Sequence, residues 1–219
     1  VQVKSVNKIT QIPHRLDREE LFERMHISKD RPNYQKFEKS YQNLFDSLPD
    51  LLNIQATHIL RTNDEKEKIH KGLCEVSHIV YCLVTLGPKI SEQSTAYFAD
   101  KDYLNGLMID AMADILLFNA SNDYYNTVKR EVYEKMGYAL TLRYSPDDNI
   151  IPIQVQKKIL EYVKGKELLS VGISEGFMYN PVKTLGYVYG ADQSIELAEK
   201  DHDCVMCSNL TCEYRNTDK

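Results

Sequence analysis

The chain has 219 residues, 42% hydrophobic and 27% charged, an ordinary globular composition and enough length for one domain with a buried core. Its formal net charge of -5 argues against a nucleic-acid binder, and no apolar run approaches the roughly twenty residues that cross a bilayer. With no signal peptide visible, a cytoplasmic setting is expected.

Residues 1–14 read as an irregular or short-strand lead that ends near Pro13. Asp17 can cap a helix running to about His26, with Glu20 three positions on completing a capping box. The basic residues of this region alternate with Asp17, Glu19, Glu20, Glu23 and Glu38, the pattern of a solvated helical face rather than a docking patch. After the break at Arg31-Pro32-Asn33, residues 34–52 resume a helix with Phe37, Tyr41, Leu44, Phe45 and Leu48 on one side, a stripe suited to a core. Pro49 is expected to kink or shorten its end. Residues 54–61 alternate as a strand does, 63–71 are charged, and 78–86 form a β-branched run fit for a central strand.

From 89 to 136 the pattern is helical, with a break near 99–102. Asp110 and Asp114 stand four apart and could pair for metal or acid/base work; the alternative is a structural pair, one solvent-facing and one buried. Tyr124, Tyr125 and Tyr133 are expected to pack with their hydroxyls at the surface. Residues 138–144 suit a strand, and Arg143 comes at its end, just before Ser145-Pro146-Asp147-Asp148, where Pro restricts φ and Asp bonds to nearby backbone. Val155, Ile159, Leu160 and Val163 give residues 154–163 one apolar helical face. Residues 168–173 and 184–189 read as strands, separated by a turn from Glu175 to Pro181. The expected fold is α+β: a mostly antiparallel twisted sheet from strands near 54, 78, 138, 168 and 184, with helices packed against it. Residues 1–200 would be one domain and 201–219 a Cys-rich tail.

Two ordered motifs carry a resemblance. Arg143-Tyr144-Ser145-Pro146, followed by Ile173-Ser174-Glu175-Gly176-Phe177-Met178-Tyr179-Asn180-Pro181-Val182-Lys183-Thr184, resembles the activation domain of cobalamin-dependent methionine synthase. The stand-alone versions of that domain are nearest in pattern, roughly R-[FY]-S-P-G-Y and then L-T-E-S-x-M-M-x-P-x-K-S. Upstream, the stretch from Arg18 to Met25 is similar to the family's opening amphipathic helix, Val84-Thr85-Leu86-Gly87 to its central strand end, and Leu107-Met108-Ile109-Asp110-Ala111 to its long helix. The likeness spans roughly residues 15–190. Four positions depart from the pattern: Asp147-Asp148 stand where the family has Gly-Tyr, Gly176 where it has Ser, and Phe118 where it has a glutamate.

The resemblance implies a domain that binds S-adenosylmethionine, docks on a corrinoid-binding methyltransferase that carries the cobalamin, and lets inactivated cob(II)alamin be reduced and remethylated with an electron donor. By the same likeness, Arg143 would clamp the carboxylate of the cofactor with the backbone of Ser145, Pro146 and Asp147 around it, as a rigid guanidinium fork suits a carboxylate. Glu175 would take a cationic or hydroxyl group. Met178 and Tyr179 would offer an apolar wall to the corrin, the alternative for that pair being core packing.

The tail adds C-x2-C-x4-C, formed by Cys204, Cys207 and Cys212. Thiolates at these spacings can converge on zinc or an iron–sulfur cluster, with His202, Cys74 or Cys82 as a further ligand; the alternative is a tail of oxidation-prone thiols. This supports a second functional reading: a non-catalytic metal, redox or docking module that keeps the fold without binding S-adenosylmethionine.

Overall fold

In a computed structural model that describes residues 16–63, 69–146, 151–202 and 205, the first helix, α1 (Arg18–Arg24), begins where Asp17 accepts the amides of Glu19 and Glu20 at 2.8 and 3.2 Å. These bonds satisfy two of the orphan donors of a helix start. The chain continues through α2 (Tyr34–Leu51), β1 (Gln55–Thr62), α3 (Lys71–Cys74), β2 (His78–Thr85), α4 (Lys89–Ala99) and α5 (Tyr103–Val128). A π-helical turn at Lys129–Glu134 extends α5. There follow β3 (Ala139–Leu140), α6 (Val155–Tyr162), α7 (Gly165–Leu169), β4 (Gly172–Ile173), β5 (Tyr179–Asn180) and β6 (Thr184–Asp192).

The main sheet has the order β1-β2-β6-β3, with every neighbouring pair antiparallel, and β4 and β5 form a separate two-stranded ladder. Because strand side chains alternate, each strand supplies both faces. On β2, Val80, Cys82 and Val84 face a core built from α1, α2, α4 and α5, while Ile79, Tyr81 and Leu83 face a second core with α3, α6 and α7. On β6, Tyr187 and Tyr189 face the first core and Val188 the second. Helical cover on both sides explains why β2 is apolar almost throughout rather than half polar. Helix α5 likewise buries residues around its circumference, from Met108 to Val128, as a central helix must. On α2, Tyr41, Leu44 and Leu48 are buried, whereas Phe45 stays 41% exposed and stacks on Tyr41.

Two expected strands are shorter in the structure. The one at 138–144 reduces to β3 and an isolated bridge between Tyr144 and Val188. The reason is where the backbone donors go: the Arg143 amide leaves the sheet and donates to the carbonyl of Asp201 at 2.9 Å. The strand expected at 168–173 keeps only Gly172 and Ile173, because Leu168 and Leu169 belong to α7. Lys164 and Ser170, with φ of 55° and 56°, take the left-handed conformation on either side of that helix and set its limits.

At Gly186 of β6 an added Cβ would sit 2.3 Å from the Tyr179 hydroxyl and 3.0 Å from its ring carbons. Tyr179 cannot yield easily, since it is 4% exposed and its hydroxyl donates to the Gln156 carbonyl at 2.9 Å. Gly186→Ala is therefore expected to lower stability by about 1–3 kcal/mol, as overpacking does, seen as a lower urea midpoint at unchanged slope. Gly176→Ala is the control, since its new Cβ would meet only Ser174 Oγ at 3.8 Å.

Candidate functional site

Asp110, Asp114, Phe118 and Ser121 follow one another along α5 at intervals of four, four and three residues, which places them in one stripe. A cation sits at each end of it. At the Ser121 end, Arg143 Nη1 donates to Ser121 Oγ at 2.8 Å and lies 3.1 Å from Asp201 Oδ2. Its guanidinium carbon is 5.1 Å from the centre of the Phe118 ring and 5.2 Å from that of Tyr187. Arg143 is 4% exposed and Asp201 8%.

The chemistry explains the arrangement. A guanidinium stays charged at any working pH, so burying one demands a carboxylate, a hydroxyl or aromatic faces around it. Asp201 meets that demand, and its other oxygen accepts the Tyr189 hydroxyl. Removing one partner of a buried, hydrogen-bonded charge pair such as this is strongly destabilising, by about 3–5 kcal/mol. Asp201 arrives on an irregular segment after β6, secured by the Ala198 amide to the Leu140 carbonyl and the Tyr125 hydroxyl to the Ala198 carbonyl, each at 2.9 Å.

At the other end, Lys183 Nζ lies 2.9 Å from Asp110 Oδ1 and 2.7 Å from Asp114 Oδ1. The two carboxylates thus clasp one ammonium, and this ties the start of β6 to α5. Burial pulls the Lys183 pKa down, but the hydrogen bonds that its ammonium donates to Asp114 and Asp110 outweigh it and hold the pKa above its ordinary value. A third polar cluster lies within the first core, where His58 Nδ1 is 2.7 Å from the Tyr124 hydroxyl and Nε2 is 3.3 Å from Glu131 Oε2.

The expected site residues are therefore distributed. Arg143 lies on the α5 side of the sheet, in contact with Ser121, Phe118 and Tyr187. Ser145 is 2% exposed, Pro146 is buried, and Asp147 falls outside the described residues. Glu175 is exposed. Met178 and Tyr179 diverge: Met178 is 59% exposed, whereas Tyr179 packs into the core on the α6 side beneath Gly186. Tyr179 thus belongs to the packing alternative and presents no surface to a ligand. Tyr124 and Tyr125 also differ from expectation, their hydroxyls turning inward to His58 and to the Ala198 carbonyl. Cys204, Cys207 and Cys212 lie outside the described residues. Among the described residues no group of three or more His, Cys, Asp or Glu could hold a metal ion. Cys82 is fully buried in the first core, and burial pushes its thiol pKa well up, so a metal could reach it only if the core opened.

Ser121, Asp201 and the Lys183 clasp escaped the sequence. Of these only the clasp leaves a local sign, since two carboxylates four apart on a helix call for a cation.

No family model and no curated protein match this chain. Among solved structures it is similar to a crystal structure of the MetH reactivation domain bound to AdoHcy, with a TM-score of 0.62, 15% sequence identity, and coverage of 89% of this chain and 80% of that one. The mixed helical and antiparallel sheet architecture is the fold of that domain.

The buried phenols of the first core set an alkaline limit to stability. Burial, with the Asp201 carboxylate adding to it, pushes Tyr125 up to about 12, and burial pushes Tyr124, Tyr187 and Tyr189 well above their ordinary value. A pKa raised on folding means that stability is complete below the unfolded value of about 10 and is lost as pH rises beyond it. The expected outcome is that these four phenols ionise together with loss of circular dichroism. The chain has no tryptophan and fifteen tyrosines, so tyrosinate absorbance reports the four as the step that coincides with the loss of circular dichroism.

Proposed function

We propose that this chain is an activation-domain-like partner of a corrinoid-binding methyltransferase and supports the reductive remethylation of its cobalamin. The observation that carries this reading is the likeness to the MetH reactivation domain across 89% of this chain. No helix among the described residues is long and apolar enough to cross a membrane. In this reading the partner's corrinoid supplies the methyl chemistry and the chain supplies positioning and electrostatics. S-adenosylmethionine, or a relative with the same amino-acid end, is the proposed ligand. Its carboxylate belongs on Arg143, beside the backbone of Ser145, Pro146 and Asp147, with Glu175 and Met178 as further candidate contacts.

The residues fit that ligand only in part. A guanidinium fork and a serine hydroxyl are the right donors for a carboxylate, but Asp201 already engages Nη1 at 3.1 Å. Phe118, where the resembled family has a glutamate, lies against the guanidinium and offers no acceptor. These two observations favour a second reading, in which the chain keeps the fold as a docking or redox module without an adenosyl ligand. The tail cysteines would then bind zinc or an iron–sulfur cluster.

Calorimetric titration with S-adenosylmethionine separates the two. Arg143→Lys keeps a charge for Asp201 but loses the bidentate fork, so it should weaken binding by about tenfold or more while circular dichroism stays native. The chain should also speed remethylation when added to a corrinoid methyltransferase held as cob(II)alamin with a reductant. Absence of both binding and remethylation, with zinc or iron lost on Cys207→Ser, would establish the second reading instead.

A further inference from the structure

Between Asp192 and Asp201 no residue is buried: Gln193, Ser194, Glu196, Glu199 and Lys200 are exposed, and Ile195, Leu197 and Ala198 are partly so. Its start is fixed, because Asp192 accepts the Ser77 amide at 2.7 Å and the Ser194 amide at 2.9 Å. Its far end is fixed by Asp201, whose side chain holds Arg143 and Tyr189 and whose carbonyl accepts the Arg143 amide. The middle is attached at Ala198, through its amide to Leu140 and its carbonyl to the Tyr125 hydroxyl. A segment outside any helix or strand, with little buried surface between two anchors, opens at lower free energy than the sheet beneath it.

We infer that this segment is a strap whose Asp201 carboxylate occupies the Arg143 clamp in the resting protein, so that an external carboxylate ligand engages Arg143 only by displacing it. The inference rests on the reading of Arg143 as a ligand clamp. Asp201 meets Arg143 as a ligand's carboxylate would, with Ser121 Oγ as the neighbouring acceptor at 2.8 Å. Once the strap lifts, the face of the guanidinium that Asp201 held is open to an external carboxylate, and this links ligand binding to strap release. An exchange of one carboxylate for another avoids leaving a buried charge unpaired.

Asp201→Asn tests the competition with acetate as the probe. Asparagine can still accept the Tyr189 hydroxyl, but the anion is gone. Acetate should raise the melting temperature of Asp201→Asn above that in chloride of equal ionic strength and leave the unsubstituted protein unchanged. No acetate effect on the variant, or an equal effect on both proteins, overturns the inference. Should the variant fail to fold, hydrogen exchange of the unsubstituted protein decides. The Arg143 and Ala198 amides are expected to exchange at least about tenfold faster than the β2 ladder, and equal protection overturns the strap. If acetate rescues the variant while S-adenosylmethionine binds neither protein, the strap stands and the adenosyl ligand does not.

Discussion

A permanent positive charge buried among aromatic rings governs the arrangement around it. Arg143 cannot shed its proton, so the chain must bring an anion to it, and the anion comes from a residue far along the sequence. That requirement shapes the backbone at both ends of the contact. The strand before Arg143 stops after two residues because the Arg143 amide turns to the Asp201 carbonyl, and the segment after β6 bonds to β3 at Leu140 on its way there. Tyr187, Tyr189, Phe118 and Ser121 complete the enclosure from β6 and α5.

Helix α5 is the shared frame of the polar features. Its stripe carries the carboxylates that hold Lys183 at one end and the hydroxyl and ring that hold Arg143 at the other. Lys183 is the lysine of the second motif of the resemblance, and here it secures the connection that leads from β5 into β6. The two motifs thus both reach α5, through Arg143 and through Lys183. Arg143 lies on the α5 side of the sheet, while Tyr179 packs on the α6 side.

Much of the architecture was legible in the chain, because its signals are local. The Asp17 cap, the apolar stripe of α2, the β-branched run of β2 and the one-faced α6 each depend on residues within a few positions of one another, and each element forms near its expected limits. Leu168 and Leu169 were misread because a short apolar run fits a strand or a helix equally, and left-handed residues at 164 and 170 decided it. The inward turn of Tyr124 and Tyr125 depends on partners 66 and 73 residues distant, beyond any window of periodicity. Asp201 shares that difficulty. It sits in a polar stretch without alternation, and only the folded chain shows that its carboxylate is a counter-charge of Arg143.

The anchoring of Asp192 has a consequence for geometry. Hydrogen bonds with Ser77 and Ser194 hold its carboxyl well below the usual carboxylate range, so this post survives acid that would protonate an ordinary aspartate. Eight residues separate it from Asp201, a span of roughly 30 Å when drawn out. A chain tethered at one firm end and freed at the other would carry the Asp201 carboxylate across a distance comparable to the width of a small domain.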